Sequence, residues 1–186
     1  MTNRLRASIR RFAISERATL SVEAVIILPI LFWAYAAMLV FWDTYRSEML
    51  ATRTTYTIGD ILSRSETVDT AELTRMNGLY ASLSGAREGA QTRISLVRAE
   101  LAADGETVET QLRWSHGMDG APAHTNMSGL DSRLPEMVAG DQMIIVETFQ
   151  YYRPFFNIGL TDRTISRFSF TRPRAAQLLC SDCSGV

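Results

Sequence analysis

Lysine is absent from this chain, histidine and cysteine occur twice each, and the formal net charge over 186 residues is only −1. The scarcity of His and Cys excludes most metal chemistry. Two His on a helix must lie three or four residues apart to share an ion, His116 and His124 do not, and two thiols are too few for structural zinc. No Gly-rich phosphate cradle follows a strand, no G-x-S-x-G is present, and no Cys lies near a His in sequence. The length supports one modest core and excludes a large multidomain enzyme. The missing net charge is a cancellation. The first 18 residues hold five Arg against Glu16, leaving +4, and the remainder holds 14 Arg against 19 acids, leaving −5. An acidic body excludes nucleic acid as a partner, because phosphate binding needs a basic face.

Charge is also missing from Ala24 to Trp42, a run of 19 residues in which Pro29 is the only member that is not apolar. At about 1.5 Å per residue such a helix crosses a hydrocarbon core with little to spare. Five Arg precede it and only Arg46 closely follows, so the positive-inside bias places the head in the cytoplasm and the acidic body across the membrane. Phe41, Trp42 and Tyr45 then fall at the outer interface. Three readings of this segment stay open. It is a secretory signal cut after Ala34-Tyr35-Ala36, an uncleaved signal anchor, or a segment cut on the cytoplasmic side of the apolar run.

Glu23 raises the third reading, because an acid at the edge of an apolar span is costly unless it reaches the interface or a partner. The stretch from Arg17 through Ala18, Thr19, Val22-Glu23 and the apolar run to Leu28-Pro29 resembles the N-terminal signature of TadE/TadF-like proteins, the pseudopilins of tight-adherence (Flp-type) pilus machinery. The resemblance covers roughly the first quarter of the chain and departs at Ala18, where the family usually has Gly. It implies prepilin-peptidase cleavage between Ala18 and Thr19. It also implies a role for Glu23, as the fifth mature residue, in subunit assembly against a neighbour's freed α-amino group. Such a pair gains strength at the edge of a low-dielectric layer. Small residues at Ala34 and Ala37 would allow close helix approach.

Beyond the span, the residues from Asp43 to about Ser63 read as an outward continuation of the helix into a stalk, or as a solvated linker after Ala51. A second helix is marked by Asp69 as N-cap with Glu72 three residues on; Leu73, Met76, Leu79, Tyr80 and Leu83 form one face, and Gly85 ends it. Thr107 to Ser115 alternates, with Val108, Thr110, Leu112 and Trp114 on one face, and pairs through an Asp104-Gly105 turn with Ile94 to Leu101. Gln142 to Tyr152 reads as a central strand buried on both faces, and Arg163 to Thr171 as a fourth strand.

The Gly-rich loop holding His116, Asp119 and His124 reads as exposed and inert, and Glu106 and Glu109 lie on a solvent face. Cys180 and Cys183 sit on a tail rather than at a helix start, so redox catalysis is not expected, and a short-loop disulfide is the expected state.

The expected fold class is therefore α+β: an N-terminal transmembrane helix extended as a stalk, then a small pilin-like domain with one further helix and a roughly four-stranded antiparallel sheet. The expected organisation is a basic leader over 1–18, transmembrane helix and stalk over 19–66, an extracytoplasmic domain over 67–179 and a Cys-containing tail over 180–186. The resemblance implies a non-enzymatic pilus-assembly component of the bacterial inner membrane, without cofactor or metal, with its C-terminal domain in the periplasm and association with the pilus after processing. Its partners would be other pilin or pseudopilin subunits, the prepilin peptidase, the inner-membrane pilus machinery and membrane lipid. The rival reading is a signal-anchored periplasmic binding or scaffold domain unrelated to pili.

Overall fold

The computed structural model describes residues 16–183 except 87, 104 and 176, with side chains in the first helix described from Val22 onward. The basic leader up to residue 15 and Asp104 of the expected turn lie outside the described residues. One helix, α1 (Glu16–Ser63), runs 48 residues and passes through Pro29 without a break. It is followed by β1 (Thr67–Val68), α2 (Thr70–Ser84), β2 (Glu88–Leu101), β3 (Val108–Met118), β4 (Gln142–Tyr152), β5 (Arg163–Thr171) and β6 (Leu179–Cys180). The chain divides into two compact units. One holds the helix up to Asp43 together with Phe155–Leu160, and the other holds Thr44–Pro154 and Thr161 onward.

In the second unit a four-stranded antiparallel sheet has the order β3-β2-β4-β5. The Thr44–Ser63 part of α1 does not stand clear as a stalk, and no solvated linker follows Ala51. Ala51, Thr54, Thr55, Ile58 and Leu62 are buried. Weak helix formers persist there because Thr52 and Thr55 return their hydroxyls to the carbonyls of Glu48 and Ala51, and Thr55 Oγ1 also meets Thr148 Oγ1 of β4 at 2.8 Å. Ile58 and Leu62 join Leu73 and Tyr80 of α2 against Ile94, Leu96, Ile144 and Val146 on the inner face of the sheet.

Asp69 caps α2 by accepting from the Glu72 amide, and Gly85 closes the helix at φ 67° in the left-handed region. The buried face of α2 differs from the expected stripe. Leu73, Asn77, Tyr80 and Ser84 face inward, whereas Leu83 is 48% exposed. Tyr80 donates to Gln150 Oε1 of β4 at 3.1 Å, which explains why a helix with few large apolar residues still docks firmly.

The alternation expected along β3 breaks at Arg113. Leu96 pairs with Trp114 and Val97 with Leu112, so Arg113 is an extra residue opposite the β2 register. Leu112 and Trp114 therefore lie on opposite faces, Trp114 in the inner core and Leu112 with Val97, Ile145 and Leu130 on the outer side. That outer face is covered by the β3–β4 connection, which carries Leu130, Met137 and a short 3-10 turn, Asp131–Arg133.

Candidate functional site

Two regions carry the chemistry: the apolar half of α1 and a charged cluster under the β3–β4 connection. Over Val22–Ser63, α1 contains a stretch long and apolar enough to cross a membrane, and the large apolar side chains of its N-terminal part are exposed, Phe32 at 74% and Trp33 at 61%. Glu23 is exposed at the N-terminal edge of this apolar surface. Ala18 and Thr19 lie in the first turn of α1; their side chains are outside the described residues. Of the two small residues expected to allow close approach, Ala34 is exposed, but Ala37 is buried within the chain itself and is not free for a neighbour.

The charged cluster was not foreseen. Glu147 stands in the middle of β4, directly opposite Arg93 of β2, and is 4% exposed. Its Oε2 accepts from Arg93 Nε at 2.7 Å and lies 2.6 Å from His124 Nε2, while Oε1 is 3.4 Å from an Arg133 guanidinium nitrogen. Burial alone would raise the Glu147 pKa. The hydrogen bonds from Arg93 and His124, and their charges, outweigh that and hold the carboxyl below its usual range. Arg93 also donates to the Pro122 carbonyl at 2.9 Å, and Arg133 lies over the Phe168 ring at 3.7 Å. The cluster thus fastens the connection to the sheet. Its signal in the sequence was one acid inside the apolar strand QMIIVETFQYY.

His116, Asp119 and His124 are not brought together, and the loop that holds them is not a freely exposed one. His124 turns under the connection to Glu147, and its backbone amide donates to Ser115 Oγ at 2.9 Å. Asp119, at φ 53°, accepts from the side-chain amide of Asn77 on α2. His116 lies within β3, opposite Ile94 of β2. These partners give the side chains of His124 and Asp119 structural work in two separate places.

Cys180 and Cys183 are joined as a disulfide. Asp182 lies beside them, but sulfurs bonded to each other are not the thiolates a metal would require. Asp182 instead accepts from the Thr70 amide at 2.9 Å and the Thr70 hydroxyl at 2.6 Å, at the start of α2. The hydroxyl bond, then the amide bond, hold its carboxyl below the usual range.

Compared with protein-family models, curated proteins and solved structures, the chain finds no match. The class defined by the fold is an α+β domain whose first helix continues N-terminally into a segment able to span a membrane.

Proposed function

We propose that this chain is a pilin-like, non-enzymatic membrane protein that acts in assembly of a tight-adherence (Flp-type) pilus. The observation that carries the reading is α1 itself. One unbroken helix of 48 residues exposes its large apolar side chains in the first half and builds the core of a domain with the second. Such a helix couples the domain to whatever packs on its apolar half. A signal cut after Ala36 would leave the domain without that surface, and the apolar run continues to Trp42.

In this reading the chain inserts with its basic head in the cytoplasm of the inner membrane, and the domain faces the periplasm. A prepilin peptidase cuts between Ala18 and Thr19. Cleavage removes +4 of charge that holds the helix end at the cytoplasmic leaflet, which eases extraction of the subunit. Glu23, exposed beside the new terminus, is free to meet the α-amino group of a neighbouring subunit. The partners are other pilin or pseudopilin subunits and the inner-membrane machinery.

Intact mass and N-terminal sequencing of protein recovered from membranes test the proposal. The expected start is Thr19. A start at Met1 rejects processing, and a start at Ala37 makes the chain a secreted protein. Replacing Glu23→Ala should abolish pilus formation and surface adherence; unchanged adherence would remove the pairing role.

A further inference from the structure

The turn between β4 and β5 carries eight residues without charge, Pro154 to Thr161 (PFFNIGLT). Phe155 and Phe156 are 59% and 58% exposed at its tip. A hairpin tip in water ordinarily carries polar and turn-forming residues, and two adjacent exposed Phe are out of place there. The turn is bounded by a charged collar. Arg153 Nε and the Tyr151 hydroxyl both reach Asp162 Oδ2, at 3.3 and 2.7 Å, so the change from charged to uncharged chain is abrupt.

The direction of β4 fixes where this tip lies. Thr55 of α1 meets Thr148, Ser47 Oγ accepts from Gln150 Nε2 at 3.0 Å, and Thr44 Oγ1 donates to the Tyr152 hydroxyl at 2.9 Å. The strand therefore runs back along α1, toward the apolar run. Tyr152 thus stands beside Thr44, two residues beyond Trp42, and Phe155 follows three residues further along the chain. The chain division agrees, because Phe155–Leu160 groups with the helix up to Asp43 and not with the sheet that carries it. In that unit Ala37 and Val40 are the buried residues of the apolar run, and Phe155–Leu160 is the described chain outside the helix.

We propose that the Phe155–Leu160 turn is a second lipid-contacting element, seated at the boundary of headgroups and acyl chains on the Thr44 side of the membrane. The inference rests on the reading that Ala24–Trp42 crosses the bilayer. If it does, a tip level with the last turns of that run cannot stay in bulk water. Its two rings take the interfacial position that aromatic side chains favour, alongside Phe41 and Trp42, while Arg153 and Asp162 remain among the headgroups. The turn then adds a second lipid contact to the one made by the helix.

The test is nitroxide accessibility in the full chain reconstituted into phosphatidylethanolamine/phosphatidylglycerol vesicles. Labels are placed singly through Phe156→Cys, through Phe32→Cys in the middle of the apolar run, and through Glu109→Cys in the exposed, far end of the β2–β3 hairpin. Each is read against oxygen, which concentrates in lipid, and a water-soluble nickel chelate. The expected result is a several-fold higher oxygen-to-nickel ratio at 156 than at 109, approaching that at 32. A ratio at 156 equal to that at 109, with 32 lipid-exposed, overturns the proposal while leaving the membrane span intact. A water-exposed label at 32 overturns the span and the proposal together. Shielding of 156 from both reagents means that a second copy of the chain covers the tip, and that also overturns it.

Discussion

A Cβ placed on Gly117 would lie 1.8 Å from the Ala121 carbonyl oxygen and 2.8 Å from its carbon. The chain leaves β3 through a turn in which the Ala121 amide returns to the Met118 carbonyl at 3.2 Å, so the loop doubles back over the strand it has just left. The obstruction is backbone, which cannot swing aside as a side chain can. Gly117→Ala should therefore lift the start of the β3–β4 connection and cost about 3 kcal/mol or more. Thermal and denaturant unfolding of the full chain in detergent micelles reads this directly; a variant as stable as the parent would show that the turn relaxes freely.

Gly78 is the opposite case. It is an interior residue of α2, and a Cβ there meets nothing within 4 Å. Gly78→Ala removes backbone freedom from the unfolded chain without disturbing the fold, so it should stabilise by about 0.5–1 kcal/mol. A raised melting temperature in the same micelles is the expected reading. A lowered one would mean that the open space beside α2 is needed.

Glu147→Gln tests the charged cluster. It leaves Arg93, whose side chain is 13% exposed, without its carboxylate, and the expected loss is about 3–5 kcal/mol. Arg133, 46% exposed, contributes at a wet edge, so Arg133→Ala should cost about 1 kcal/mol or less. The pH dependence has a definite sign. The carboxyl pKa is lowered on folding, so its stabilisation is complete above the unfolded value of about 4.3 and is lost as pH falls through the lower folded value. Glu147→Gln should flatten the acid limb of the stability profile. Equal acid sensitivity in parent and variant would place the titrating group elsewhere.

What was legible in the sequence had local causes. Asp69 with Glu72 and Gly85 bound α2 because capping is decided within a few residues, and Gln142 to Tyr152 reads as a central strand because both its faces are apolar. The rest depended on distant chain. Arg113 looks like one more member of an alternating strand, and only the β2 register makes it an extra residue that sends Trp114 to the opposite face from Leu112. Asn77 faces inward in α2, ahead of Leu83, because Asp119 and the Ala90 carbonyl wait there to accept its amide. The loop holding His124 looked solvated because its apolar residues are scattered, yet Leu130, Leu134 and Met137 are enough to close the outer face of the sheet. In the candidate site, the basic head, Glu23 and the apolar run were visible as composition. The Glu147 cluster joins positions 93, 124, 133 and 147, which no spacing rule links.

The C-terminal tail is fastened at several points, and they should not be equally important. Leu178 is fully buried in the inner core, and β6 pairs in parallel with β1, the Leu179 amide donating to Glu66 O at 2.9 Å and the Ser181 amide to Val68 O at 3.0 Å. The disulfide closes a ring only three residues apart in sequence, a loop short enough that its chain-entropy contribution is about 2 kcal/mol at most. Leu178→Ala removes a core side chain and should cost about 2–5 kcal/mol. Replacing Cys180 and Cys183 together by Ser should therefore destabilise the chain less than Leu178→Ala, and added reductant should lower the parent's melting temperature only modestly. If the Ser pair proves the more damaging change, the disulfide, and not the buried leucine and the β1–β6 ladder, is what holds the tail to the start of α2.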